Sequence, residues 1–154
     1  MAQLLVIDAS ALLGAWLPQE PYQVQADALL GRYEEGHVEL CSSTLLPHEI
    51  LNGLWIAVRG KAGQPPRITL QDAQEAWELF QGLKLRLEDT GALARRILEL
   101  VSQYQHRSTY DMTYVALAEN LKSPLITGDR KLLSAVSQQL DWVIPLWEWE
   151  QRAP

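Results

Sequence analysis

The chain has one cysteine, Cys41, so an internal disulfide is impossible and a reducing cytoplasm is the expected setting. No apolar run approaches the roughly 20 residues that a membrane-spanning helix needs, so no membrane association is expected. The start of the chain lacks the basic flank and cleavage-like site of a signal peptide, and its first apolar run ends in Asp8. There is no Gly-rich phosphate loop. His37, His48 and His106 are widely spaced and lack the paired motif of a zinc hydrolase. Positive charge is scarce: 13 Lys and Arg against 19 Asp and Glu give a formal net charge of -6. That argues against loose, charge-driven binding to nucleic acid, but leaves room for a nucleic acid held through a bridging metal and a local basic patch. Internal repeats, low-complexity segments and linkers are absent too, so residues 1–154 are expected to form one domain.

The composition, 47% hydrophobic and 21% charged, is that of a folded globular chain. Gln3 to Ile7 is a continuous apolar run, the pattern of a central parallel strand covered on both faces. A short helix through Leu12, Leu13, Trp16 and Leu17 follows, stopped by Pro18; another after Pro21 ends near Gly36. Val38 to Cys41 reads as a second strand, with Cys41 a buried thiol. Ser42, Ser43 and Thr44 offer caps for a helix from Leu45 to about Arg59, where Pro47 is tolerated in the first turn. Residues 60–67 form a loop rich in Gly and Pro. Thr69 and Asp72 make a variant capping box for a helix through Ala73, Trp77 and Phe80. Leu83 to Leu87 alternates apolar and basic residues and predicts a third, edge-like strand. Helices from Ala92 to about Tyr104 and from Ser108 onward lead to a fourth strand at Leu125 to Thr127. A helix from Asp129 to about Gln139 precedes a short fifth strand at Trp142 to Ile144. The tryptophan-containing tail beyond it is left open between packing and projecting.

Alternating strands and helices imply a mainly parallel sheet of four to five strands with right-handed crossovers. Ligands in such sheets lie outside the carboxyl ends of the strands, where the strand order reverses. Asp8 and Asp129 both fall at strand ends by this reading. Asp111 opens a helix that Ser108 caps, close to its partly positive N-terminus. Glu49 sits on a mostly apolar helix. Taken singly, each acid has an ordinary explanation: Asp8 and Asp129 as helix caps, Asp111 as a favourable first-turn acid, Glu49 as a solvated residue. Together they match the need of metal-assisted phosphodiester hydrolysis for several carboxylates from separate elements, and Mg2+ prefers such oxygen ligands.

The set resembles a known family. Val6-Ile7-Asp8-Ala9-Ser10 is similar to the opening strand of PIN-domain nucleases, and His48-Glu49-Ile50-Leu51-Asn52-Gly53-Leu54 to their second acidic motif. Tyr110-Asp111-Met112-Thr113-Tyr114-Val115-Ala116-Leu117-Ala118-Glu119 resembles the third and most specific motif, and Thr127-Gly128-Asp129-Arg130-Lys131-Leu132 the fourth. Order, spacing and length fit over essentially the whole chain, and the nearest subgroup is the VapC-like toxins of toxin–antitoxin modules. The resemblance implies a three-layer α/β/α sandwich and an endoribonuclease dependent on Mg2+ or Mn2+. It places the catalytic, metal-binding acids at Asp8, Glu49, Asp111 and Asp129, with supporting polar groups from Ser10, Asn52 and Thr127. An RNA substrate, a cognate antitoxin and a homodimer are expected with it. The additional acid that some members carry after Asp129 is absent; Ser134 and Ser137 are the nearby polar residues.

Arg130 and Lys131 follow Asp129 and are candidates for contact with substrate phosphate. Arg95, Arg96, His106 and Arg107 are read the same way, with a solvated face as the alternative. Trp55 and Ile56 are candidates for a subunit or antitoxin interface; most of the six tryptophans read as core. Two rival readings stand beside the nuclease. One is a PIN-like module that binds RNA or protein without cutting. The other is a phosphoacceptor, receiver-like domain using Asp8 and the acids Glu88 and Asp89 at a strand end.

Overall fold

The computed structural model describes residues 1–152. Its centre is β1 (Gln3–Ile7), the apolar run that reads as a buried strand. The backbone alternates its side chains between two faces, so Leu5 and Ile7 enter one apolar cluster while Val6 enters the other. Both clusters need cover, and helices on both sides of the sheet supply it. α1 (Ala9–Trp16), α2 (Gln23–Glu34), α3 (Leu46–Arg59) and α4 (Leu70–Leu83) contribute to the first. α5 (Ala94–Tyr104), α6 (Thr109–Leu121) and α7 (Arg130–Val136) contribute to the second. The result is the expected three-layer α/β/α arrangement.

The sheet has five strands in the order β3-β2-β1-β4-β5, with β2 at Val38–Ser43, β3 at Arg86–Glu88, β4 at Leu125–Thr127 and β5 at Val143–Pro145. All pairings are parallel, with Leu5 opposite Leu40 and Ile7 opposite Ile126. The chain builds outward from β1 through β2 to β3, then returns to place β4 on the other side of β1. The order therefore reverses between β1 and β4, and their carboxyl ends bound the crevice where open sheets of this kind bind ligands.

Several boundaries differ from expectation. α4 runs through Leu83, and Lys84, in the left-handed region at φ 51°, ends it, so β3 starts only at Arg86. The alternation from Leu83 to Leu87 mixed the last apolar residue of a helix with the first of a strand. β2 extends to Ser43, so Ser42 and Ser43 are strand residues; Ser42 Oγ donates to the Ile7 carbonyl at 2.6 Å. α3 consequently starts at Leu46 with no side-chain cap, although Ser43 Oγ accepts from Leu45 N at 3.1 Å just before it. A 3-10 turn at Gly91–Leu93 delays α5 to Ala94, and α7 stops at Val136, short of Gln139. The capping box of Thr69 and Asp72 is present.

The tail packs. Trp149 is buried in the first cluster, and its ring N–H donates to the Gln25 carbonyl at 3.2 Å, tying α8 (Trp149–Arg152) to α2. Cys41 is fully buried, and burial pushes its thiol pKa up. Trp55 is the exception among the tryptophans, 56% exposed on α3, and Ile56 beside it is half-buried. Among the described residues no helix is long and apolar enough to cross a membrane.

Candidate active site

Asp8 leaves the end of β1 and caps α1, accepting from Ser10 N at 3.1 Å through Oδ1. Ser10 Oγ donates to the same oxygen at 2.5 Å, and Thr127 Oγ1 donates to Oδ2 at 2.5 Å. Each hydroxyl has one proton to give, and each accepts from backbone with its remaining capacity: Gly128 N donates to Ser10 Oγ at 2.7 Å and Asp129 N to Thr127 Oγ1 at 3.0 Å. This relay stitches the end of β1 to the loop after β4 and fixes Asp8 relative to Asp129. Asp8 is only 4% exposed. Burial pushes its pKa up to about 6, against the pull of the two hydroxyls, and the charges of Asp129 and Asp111 add to the rise.

The other three acids come from helix starts. Glu49 lies in the first turn of α3 and its Oε1 is buried without a hydrogen-bond partner. Burial, then the charges of Asp8 and Asp111, push its pKa up to about 7. Tyr114 of α6 is fully buried and its hydroxyl also lacks a partner; burial and the nearby Glu49 charge raise its pKa. Asp111 occupies the first turn of α6, where Ser108 Oγ accepts from Tyr110 N at 3.1 Å. Its Oδ2 lies 2.6 Å from His106 Nε2, on an imidazole only 10% exposed. Asp129 caps α7 through Oδ1, which accepts from Lys131 N at 2.8 Å and Leu132 N at 3.1 Å.

All four acids line one pocket of about 620 Å³, together with Ser10 and Asn52. Thr127 stands behind it, in contact with Asp8. The cap and pocket placements of Asp8 and Asp129 are compatible, because a carboxylate has two oxygens and several lone pairs. Among the described residues, no three acids, histidines or cysteines stand in an arrangement that by itself would hold a metal ion. Uncompensated carboxylates repel, and hydroxyl, imidazole and backbone donors hold three of them. The chemistry of the site nevertheless fits a hard divalent cation: the donors are carboxylate oxygens, one of them, Glu49 Oε1, is buried and unpartnered, and burial, with the neighbouring acids adding to it, raises two pKa values.

The basic candidates lie elsewhere. Arg130 and Lys131 are not among the lining residues; the Arg130 guanidinium sits over the Trp147 ring, 4.7 Å from its centroid. Arg95 pairs with Glu99, and Arg96 grips Glu119 with two nitrogens. His106 pairs with Asp111; the five-residue separation across a helix start has no periodic signature. Glu88 and Asp89 end β3, two strands from β1, outside the pocket; Glu88 pairs with Arg86, and Asp89 accepts from Gly91 N.

Gly128 links Thr127 to Asp129 under a close lid. Tyr22 donates to the Gly128 carbonyl at 2.9 Å, and a Cβ on Gly128 would meet the Tyr22 ring at 2.8 Å. Tyr22 is in turn packed on Trp147, with centroids 5.2 Å apart. The ring cannot yield without breaking its hydrogen bond, so Gly128→Ala is expected to destabilise the fold by about 2 kcal/mol, the range of core overpacking. Urea unfolding measures it; an unchanged midpoint would show that the Tyr22 contact gives freely.

The fold and pocket together define a parallel α/β protein with an acidic crevice at its switch point. A PIN domain model matches residues 5–137. The chain is 34% identical over 135 residues to Ribonuclease VapC3 of Pyrobaculum aerophilum, spanning 83% of this chain and 91% of that protein. It is 33% identical over 129 residues to Ribonuclease VapC9 of Mycobacterium tuberculosis, spanning 84% and 88%. The crystal structure of PAE2754 from Pyrobaculum aerophilum superposes with a TM-score of 0.65 at 22% identity, covering 95% of this chain and 92% of that one. The chain belongs to the PIN-domain family, on its VapC-like side.

Proposed function

We propose that this protein is an endoribonuclease that hydrolyses RNA phosphodiester bonds with Mg2+ or Mn2+, the toxin of a type II toxin–antitoxin module. The observation that carries the reading is the meeting of four carboxylates, from two strand ends and two helix starts, on one switch-point pocket. The relatives named as VapC ribonucleases support the substrate class. Cytoplasmic location, a homodimer and a cognate antitoxin that covers the site belong to the same proposal. Trp55, exposed on α3, is a candidate contact for one of those partners.

Asp8, Glu49, Asp111 and Asp129 are the groups to hold the cation. When bound, it supplies Lewis acidity toward phosphate oxygens and water. Ser10 and Thr127 hold Asp8 in place through their donated hydrogen bonds, and His106 holds Asp111. Glu49 offers Oε1, which no protein donor among the described residues occupies. In the hydrolysis itself, a water oxygen bonds to phosphorus, the bond to the leaving ribose oxygen breaks, the attacking water gives up a proton to an acceptor at the site, and the leaving oxygen takes up a proton to become a hydroxyl.

The test is cleavage of an RNA panel by purified protein with Mn2+, Mg2+ or EDTA, beside Asp111→Asn purified identically. Cutting that requires the divalent ion and disappears in the variant is expected. Equal cutting by both proteins would mark a contaminant. RNA binding without cutting by the intact, folded chain would favour the non-cleaving module.

A further inference from the structure

At about 620 Å³ the pocket is larger than a cation and a phosphate require, and the surplus is not lined by charge. No lysine or arginine lines it, so the usual cationic hold on nucleic acid is missing there. Leu13 of α1, Leu45 at the entry to α3 and Tyr110 line the remainder, with His48, Asn52 and Ser108 as its polar members. Tyr110 is 58% exposed. Among the described residues its ring stacks on no other aromatic ring and its hydroxyl has no hydrogen bond, while its backbone is held by the Ser108 cap. A large flat apolar surface is therefore carried one residue before Asp111, on a backbone held by the Ser108 cap, and left uncovered.

We propose that Tyr110, with Leu13 and Leu45, forms a nucleobase subsite beside the scissile phosphate. The occupant is the base of a nucleotide adjoining the cut, stacked on the Tyr110 ring. Stacking suits such a wall because every base has a π face, and it supplies the affinity that the missing cations do not. The inference rests on the ribonuclease reading and names which part of the RNA this wall takes.

The test uses the full chain with Mn2+ and an unstructured oligoribonucleotide, intact or with one abasic residue next to the mapped cut. Cleavage gives KM and kcat, and fluorescence anisotropy with Asp111→Asn gives binding without turnover. Tyr110→Ala is expected to raise KM and weaken binding about tenfold for the intact RNA. Tyr110→Trp is expected to retain both values, and the abasic RNA to be insensitive to the alanine change. No effect of Tyr110→Ala, or an equal effect on both RNAs, overturns the subsite while leaving the ribonuclease standing. An equal effect accompanied by a change from dimer to monomer on size exclusion assigns the ring to a second copy and likewise overturns it. Failure of the wild-type chain to cut, together with failure of Asp111→Asn to bind either RNA, overturns both readings.

Discussion

Asp8→Asn should reduce divalent-dependent RNA cleavage by at least about a thousandfold and, in the same molecule, raise the stability of the metal-free protein at pH 8 by about 2 kcal/mol. The activity loss follows from removing one charged oxygen donor from a four-acid set, an effect of several kcal/mol on a transition state. The stability gain follows from burial. A carboxyl whose pKa is pushed from 3.8 to about 6 is ionised at pH 8 at a penalty of about 1.4 kcal/mol per unit, roughly 3 kcal/mol in all. Asparagine removes that penalty but gives up the hydrogen bond Oδ2 accepts from Thr127, so the net gain is smaller. Urea unfolding in EDTA at pH 8 and pH 5 makes the check. The gain should shrink at pH 5, where wild-type Asp8 is largely protonated. A variant less stable than wild type at both pH values would refute the account of Asp8 as a destabilised carboxylate.

Acidification from pH 8 to pH 5 in EDTA is expected to raise the melting temperature by roughly 4–8 °C, the equivalent of about 2 kcal/mol for a chain of this size. Asp8 and Glu49 both have folded-state pKa values above their ordinary ones, about 6 and about 7. The folded state therefore binds more protons than the unfolded chain between about pH 4 and pH 7, and stability falls as pH rises through that window. Most of the effect is assigned to Asp8, because solvent reaches the half-buried Glu49. At still lower pH the trend should reverse as Glu119 protonates, since Arg96 holds its pKa below the usual range. Saturating Mn2+ opposes the same repulsion. A hundredfold excess over its dissociation constant should add about 2.7 kcal/mol at pH 8, and much less at pH 5, where the site must first release protons. Differential scanning calorimetry across the four conditions suffices; a melting temperature flat from pH 5 to pH 8 in EDTA would sink the idea of a crowded acid site.

The elements that carry their own local signals were legible from sequence. The buried central strand of β1, the capped starts of α4 and α6, and the alternation of strands with helices all rest on short-range chemistry. Where two elements share a pattern, sequence reading slipped: Leu83 belongs to α4 although it fits the alternation of β3, and the serines after Cys41 extend a strand although they suit a cap. The four acids were readable as chemistry at strand and helix ends, and the structure brings them to one pocket. Their supports were harder. Ser10 and Thr127 entered through a family resemblance, whereas the pairing of His106 with Asp111 and the approach of Tyr114 to Glu49 depend on how α6 lies on the sheet. No window of sequence contains that information. The stacking of Arg130 on Trp147, from the far end of the chain, was likewise out of reach of local sequence.

The strand order also sets a timetable. Asp8 and Thr127 share a hydrogen bond although 119 positions separate them. At ribosomal speeds of about 5–20 residues per second, roughly ten seconds pass between the making of one and the other. Throughout that interval β1 can pair with β2, and β2 with β3, but the other edge of β1 waits for β4, and Asp8 has neither Thr127 to orient it nor Asp129 beside it. A nascent chain of this topology carries its first acid from the outset and still lacks a functioning centre until the loop behind β4 emerges.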